Sequence, residues 1–366
     1  MSLRGMSVGG VDPSILRELS GVYKPFVKAF KELISNAYDA DADNVAIEFA
    51  DDFSSVSVSD DGSGMTPFDF RTDFTRIGGS SRRWNRGTTT KGRARIGSKG
   101  IGFLALARYC DSMEVTSYRR KTQKIKQTVE TKTSFDLKAL LGVPMDSKLL
   151  KEVVSCDARR ATGRKGQLKE GKDFKVDYSR QRISFTKDIG EVDITVSIDC
   201  KQLAFRSVLD FKRLLKLADE ADLEKLDDFT SIELIKPAKG QKPGTIITVC
   251  NLKPFVRNDL RSERKKGFVR NVASWSGLER FSWSMSRCTP VEYEEPTAEQ
   301  RKIVRSLFKP DWDTLNSLSV SHGKETQQLK RPTYLVQEVG SIRPDISSCP
   351  SIGCHKLAGF TKSHRL

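Results

Sequence analysis

The sequence predicts an α+β fold, a mixed and mostly antiparallel sheet with helices gathered on one face. Three observations carry this. Apolar residues recur at helical spacing in 24–40 and at strand spacing in 44–49, 54–60, 112–118, 192–199 and 244–252. These segments follow one another without the regular strand–helix–strand rhythm of a parallel doubly wound sheet. No internal repeat runs along the chain, which excludes a solenoid. With 366 residues the chain is too long for one small core, and two or more structural units are expected.

In order, residues 13–20 read as a short helix opened by Pro13. Residues 24–40 read as a second, with Phe26, Val27, Phe30, Leu33, Ile34 and Ala37 on its apolar stripe. "NVAIEF" (44–49) and "SSVSVSD" (54–60) are strands joined by a turn at 50–52, and "DDGSGM" (60–65) is a glycine-rich loop at a strand end. Residues 66–99 are irregular, rich in Gly, Ser, Thr and Arg. "GIGFLALARYC" (100–110) is expected as an apolar helix and "SMEVTSY" (112–118) as a strand. The chain is then basic and less regular to about 175, with an exposed strand in "RRKTQKIKQTVETK" and a loop at 157–173. A strand at 192–199, a helix at 207–226, a strand at 244–252 behind a Pro-Gly turn and a helix at 257–275 follow. Beyond about 290 the periodic signal fades.

The net charge of +16 favours anionic partners: nucleotide phosphates, nucleic acid or acidic proteins. Seven scattered cysteines without a Cys-x-x-Cys pair read as reduced thiols. The three histidines, at 322, 355 and 364, argue against a zinc site or an early histidine-based triad. No apolar run reaches membrane-span length and "MSLRGMSVGG" lacks a signal-peptide core. The expectation is a cytoplasmic or nucleoid-associated protein with no membrane partner.

The chemistry concentrates in four stretches: "ELISNAYDA" (32–40), "DDGSGM" (60–65), "GSKGIG" (97–102) and "GTI" (244–246). Glu32, Asn36 and Asp39 stand at spacings of four and three, along one helix face. Asn is a mediocre helix former, so its place in mid-helix asks for a partner. "GRARIGSK" (92–99) is not a P-loop, because it ends Gly-Ser-Lys and follows no apolar strand. "GSKGIG" reverses the glycine spacing of a dinucleotide fingerprint.

In this order, from about residue 20 to 255, the stretches resemble the GHKL superfamily of ATPases. This superfamily includes the gyrase B subunit, ninety-kilodalton heat-shock chaperones, histidine-kinase catalytic domains, MutL proteins and MORC ATPases. "KELISNAYDA" and "DDGSGM" look most like the chaperone branch, "YDADAD" and "RIGGSSR" more like the MORC and stand-alone bacterial ATP-binding branch. The resemblance implies a Bergerat-type two-layer sandwich that binds ATP and Mg²⁺. Glu32 would be the catalytic base that activates water, and Asn36 the Mg²⁺ ligand, with Asp39 a weaker, water-mediated contact. Asp60 would read the adenine amine, helped by Thr245, with Gly62 and Gly64 letting the backbone approach the base. Ala40 and Met65 would pack on the purine. Gly97, Ser98, Lys99, Gly100, Ile101 and Gly102 would wrap the phosphates.

Residues 66–96 would form the ATP lid, with nine Lys or Arg against one acid between Arg71 and Lys99. Gly78, Ser80, Ser81 and Arg82 are its expected phosphate contacts. The implied organisation is an N-terminal arm (1–20), an ATP-binding domain (21–255) with a β-rich insertion at about 119–190, and a helical, transducer-like or partner-binding segment (256–366). The first functional reading is a slow Mg²⁺-dependent ATPase whose lid closure drives homodimerisation. The alternative is a module that binds nucleic acid through 119–132 and 157–172, with ATP as a structural or slowly hydrolysed ligand. A protein kinase on this fold is a weaker third.

Overall fold

A computed structural model describes residues 25–75, 88–97, 103–132, 134–137, 141, 145–161, 166–219, 230–264, 275–292 and 314–331. The elements run α1 (Phe26–Asp39), β1 (Asn44–Phe49), β2 (Val56–Asp60), β3 (Ser112–Tyr118), β4 (Gln123–Glu130), β5 (Phe135–Asp136), α2 (Ser147–Val153) and β6 (Val154–Arg160). They continue with β7 (Gln167–Leu168), β8 (Phe174–Asp177), β9 (Arg182–Phe185), β10 (Glu191–Ile198), β11 (Ala204–Asp210), α3 (Phe211–Asp219), β12 (Thr230–Ile235) and β13 (Gly244–Cys250). The last are α4 (Pro254–Arg261), α5 (Gly277–Cys288), β14 (Ser317–His322) and β15 (Glu325–Gln328).

The main sheet has eight strands in the order β12-β11-β3-β13-β2-β1-β14-β15. Every pair is antiparallel except β1 with β14. The α+β expectation with helices on one sheet face is met. Strand alternation puts Val56, Val249 and Met113 in one cross-strand row, and Val58, Ile247 and Val115 in the next. All six are buried. α1 lays Ala29, Phe30, Leu33, Ile34 and Ala37 into this core at the period of a helix. The opposite sheet face carries Ser57, Thr248 and the exposed Ile246, with Ser57 and Thr248 hydrogen-bonded at 3.0 Å.

A second core belongs to the insertion, built from Val153, Ile183, Val192, Ile194, Val196 and Leu203 among others. It joins a four-stranded sheet, β4-β10-β6-β7, and a three-stranded one, β5-β9-β8. The insertion therefore runs past 190 to about 203, because β10 pairs with β4 along its whole length. On the exposed side of the four-stranded sheet Lys124, Lys126 and Arg159 alternate with Glu130, Asp157, Glu191 and Asp193. Nearby, Arg119 pairs with Asp69 at 2.9 Å and Lys132 with Asp188 at 3.7 Å. Acids thus stand beside part of the basic stretch 119–132 in space.

Four expectations change. Among residues 103–110 the apolar stretch makes one short 3₁₀ turn, Leu104–Leu106, not a helix. The helix expected at 207–226 begins only at Phe211, because Ser207 to Asp210 continue β11 against β3. The helix expected at 257–275 is displaced, since α4 ends at Arg261. A boundary at 255 does not separate the C-terminal segment from the main core. Phe281 on α5 packs against Phe26, Phe30 and Phe49 at centroid distances of 6.1, 5.5 and 5.1 Å, edge to face with the last two, and β14 extends the sheet beside β1. Among the described residues no helix is long and apolar enough to cross a membrane. The predicted helix at 13–20 lies outside the described residues.

Truncating the fully buried Phe281 to alanine is expected to cost about 3–5 kcal/mol in urea unfolding. A loss below about 1 kcal/mol would show that α5 is not part of the main core.

Candidate active site

The apolar rows of the main sheet end in a polar one. Asp60 on β2, Thr245 on β13 and Ser117 on β3 stand opposite one another. Ser117 and Thr245 are buried and Asp60 is half-buried. The Ser117 hydroxyl lies 2.9 Å from the Thr245 hydroxyl, reaches the Gly244 carbonyl at 3.2 Å and accepts the Met65 N–H at 2.8 Å. Asp60 accepts the Gly62 N–H at 2.9 Å. Burial pushes its carboxyl up to about 6, although the N–H groups of Gly62 and Thr245 favour the charged form; the neighbouring Asp61 adds to the rise.

The two aspartates of "DDG" divide the work. Asp61 accepts the Asp43 N–H at 2.7 Å, the Asn44 N–H at 2.8 Å and the Asn44 side-chain amide at 2.7 Å, so it fixes the start of β1. Burial works against its charge, but these donors outweigh that and hold its pKa below the ordinary value. Gly64 has φ +66°, and a Cβ there would lie 2.0 Å from the Tyr118 carbonyl oxygen. Its glycine requirement thus comes from the end of β3. A Cβ at Gly62 would meet the Ala40 carbonyl oxygen at 2.8 Å and Asp60 Oδ1 at 2.9 Å. Ala40 also accepts the Ser63 N–H at 2.8 Å, so this loop is seated on the end of α1.

Along α1, Glu32, Asn36 and Ala40 recur every fourth residue and are all half-buried, between buried neighbours. They form the helix edge where the core gives way to a cleft. At Gly97 a Cβ would lie 2.8 Å from Asp39 Oδ2 and 3.7 Å from Asn36 Oδ1. Only a glycine fits there without displacing the carboxylate. Asp39 is buried and accepts two backbone N–H groups, Ile96 to Oδ1 and Gly97 to Oδ2, each at 2.9 Å. It holds the start of the glycine stretch against the helix.

Two further aspartates extend this clamp. α1 ends in a Schellman pattern, with the Ala42 N–H on the Ala37 carbonyl (3.1 Å) and the Asp41 N–H on the Tyr38 carbonyl (3.0 Å). The left-handed position is Asp41, φ 63°, where glycine is the usual residue. Asp41 bonds the Thr90 hydroxyl and the Lys91 N–H. Asp43 pairs with Lys91 at 2.6 Å and with the buried Arg93 at 2.9 Å. Arg93 also donates to the Ala42 carbonyl and lies 5.1 Å over the Tyr38 ring. Two of the nine cations between Arg71 and Lys99, Lys91 and Arg93, are therefore engaged with the end of α1. Ser117, Arg93, Asp41 and Asp43 were missed in the sequence; the alternation of "DADAD" was the available signal.

The structure thus gathers Glu32, Asn36, Asp39, Ala40, Asp60, Gly62, Gly64, Met65, Gly97 and Thr245 about one end of the sheet and the C-terminal half of α1. Gly78, Ser80, Ser81, Arg82, Ser98, Lys99, Gly100, Ile101 and Gly102 lie outside the described residues. The set fits an adenine nucleotide at one end, through a desolvated acceptor beside buried hydroxyls. It fits Mg²⁺ at the other, through the Asn36 amide oxygen beside a Cβ-free backbone; Mg²⁺ takes oxygen ligands and keeps waters.

Residues 23–160 match a family model described as histidine kinase-, DNA gyrase B-, and HSP90-like ATPase. Over 97 residues the chain is 37% identical to a protein of Herpetosiphon aurantiacus described as a candidate type II restriction enzyme, HgiDII. That stretch is 26% of this chain and 15% of the relative, so the chain spans only a small part of it.

Replacing Asp39 with alanine is expected to abolish hydrogen-exchange protection of the Ile96 and Gly97 amides while α1 stays protected. Unchanged protection would remove Asp39 from the clamp.

Proposed function

Residues 23–160 belong to the GHKL family of ATPases, and on that premise we propose that the chain binds ATP with Mg²⁺, hydrolyses it slowly and uses the cycle as a dimerisation switch. The observation that carries this reading is the half-buried edge of α1, with Glu32 and Asn36 one turn apart and Gly97 against Asn36.

In this reading Asp60 accepts the adenine amine. Its carboxyl is partly desolvated, and a donor from the base compensates that cost. Thr245 is held by Ser117 so that its hydroxyl faces the same ligand edge, directly or through water. Met65 and Ala40 cover the purine. Glu32, on the helix edge nearer the phosphates, orients and deprotonates the attacking water. Asn36 would hold Mg²⁺, which supplies charge neutralisation at the phosphates when bound. Gly97 and the residues to Gly102 give backbone N–H groups to the phosphates, and Gly78, Ser80, Ser81 and Arg82 close over them. Closure would present a second surface to another copy of the chain.

A nucleic-acid role is the second reading. The description of the Herpetosiphon relative as a candidate restriction enzyme and the net charge of +16 favour it. In that reading the ATP cycle gates an action on DNA.

Glu32→Ala is expected to lower turnover by roughly 10²–10⁴-fold while ATP affinity by calorimetry stays within about twofold. Turnover close to wild type would end the assignment of Glu32. Since Asp60 carries a raised pKa of about 6, its charged form, the better acceptor, is lost as pH falls through 6. Nucleotide affinity should therefore fall by up to about tenfold per pH unit below 6. Asp60→Asn should bind more weakly at pH 7 and flatten that dependence; parallel profiles for the two proteins would contradict the adenine assignment.

A further inference from the structure

We propose that a cavity between α5 and the β15 end of the main sheet binds a nucleotide unit, a planar base with its phosphate, carried by single-stranded nucleic acid or free in solution. The cavity measures about 330 Å³ and is lined by Arg264, Trp275, Ser282, Trp283, Gln328 and Lys330 among others. That is the low end of the range for small-ligand pockets. It shares no residue with the cleft along α1, so it stands or falls apart from the ATP reading.

The lining selects the ligand class. Trp275 and Trp283 meet edge to face, with centroids 5.7 Å apart and planes at 85°. Two indoles offer broad π surface to a planar ring. A cationic guest is disfavoured, because Arg287 already stacks on Trp283 at 4.4 Å and Arg264 and Lys330 stand at the wall. A purely apolar guest is disfavoured by the polar side chains of Glu279, Ser286 and Gln328 at the wall. The Gln328 amide offers a base edge both a donor and an acceptor. The phosphate would meet exposed Lys330 and Arg264. Among the described residues Arg264 pairs with Glu279 at 3.1 Å in a solvent-facing contact, an interaction weak enough to yield to a phosphate.

The test is a titration of the full chain, in low salt without ATP, followed by tryptophan fluorescence. The probes are a twelve-residue oligothymidylate, thymidine monophosphate and a duplex of the same length. Thymine avoids competition for an adenine site. The oligothymidylate is expected to quench fluorescence saturably, with Trp275→Ala and Lys330→Glu each weakening binding on the order of tenfold. Lys330 is exposed, so its variant tests the site even where the tryptophan variant does not fold. Quenching by thymidine monophosphate at similar affinity would identify a free nucleotide as the source; quenching by the oligomer alone would identify single strands. Quenching by neither, equal quenching by the duplex, or quenching unchanged by Lys330→Glu would overturn the proposal.

Discussion

The cleft exists because the apolar face of the main sheet ends in a carboxyl group. Two cross-strand rows of valine, isoleucine and methionine are sealed by α1, and the next row is Asp60, Thr245 and Ser117. A carboxyl held at such an edge loses water that its neighbours only partly replace, as its raised pKa records. The fold tolerates this because the loop after β2 turns back and donates the Gly62 N–H, while Ser117 ties that loop to β13. The remaining acceptor capacity is available to a ligand. Gly244 is part of the same constraint, since a Cβ there would lie 2.0 Å from the Asp60 carbonyl oxygen. Substituting it would push β13 away from β2 and open the row.

α1 couples this edge to the glycine stretch. Its half-buried edge presents Glu32 and Asn36, and its C-terminal end presents Asp39, Asp41 and Asp43 in alternation, each bonded to the segment 90–97. Asp41 keeps a left-handed backbone that glycine would adopt with less strain, and its side chain is what the clamp uses. Residues 90–97 are therefore anchored to the helix that carries the proposed chemistry, through several charge-assisted bonds.

Much of this was legible in the sequence. The helical stripe of α1 and the alternation of β1, β2, β3 and β13 are local patterns, and three of the four singled-out stretches, with Gly97 of the fourth, lie on or between them. What was not legible depends on pairing distant in sequence. Strand β14 alternates Leu318 and Val320 with serines, but its six residues stand alone in the sequence, and only the parallel edge of β1 shows where they belong. The extent of the insertion is set by β10 returning to β4. Ser117 is unremarkable in "SMEVTSY" until β13 places Thr245 opposite it. The cations between Arg71 and Lys99 read from the sequence only as a run of charge; Lys91 and Arg93 have partners nearly fifty residues upstream. Gly64 was read as room for a base, whereas its conformation and the Tyr118 carbonyl demand it first.

The central claim is that Asp60 accepts a hydrogen bond from an exocyclic amine at the adenine position. Guanine presents a carbonyl oxygen there, which a carboxylate repels. Calorimetric titration of the full chain with a non-hydrolysable ATP analogue and its GTP counterpart, in Mg²⁺ at pH 7.5, tests this most directly. The account predicts saturable binding of the adenine analogue that Asp60→Asn weakens, and guanine binding weaker by at least about tenfold. Equal affinity for the two bases, or no binding of either, would contradict it.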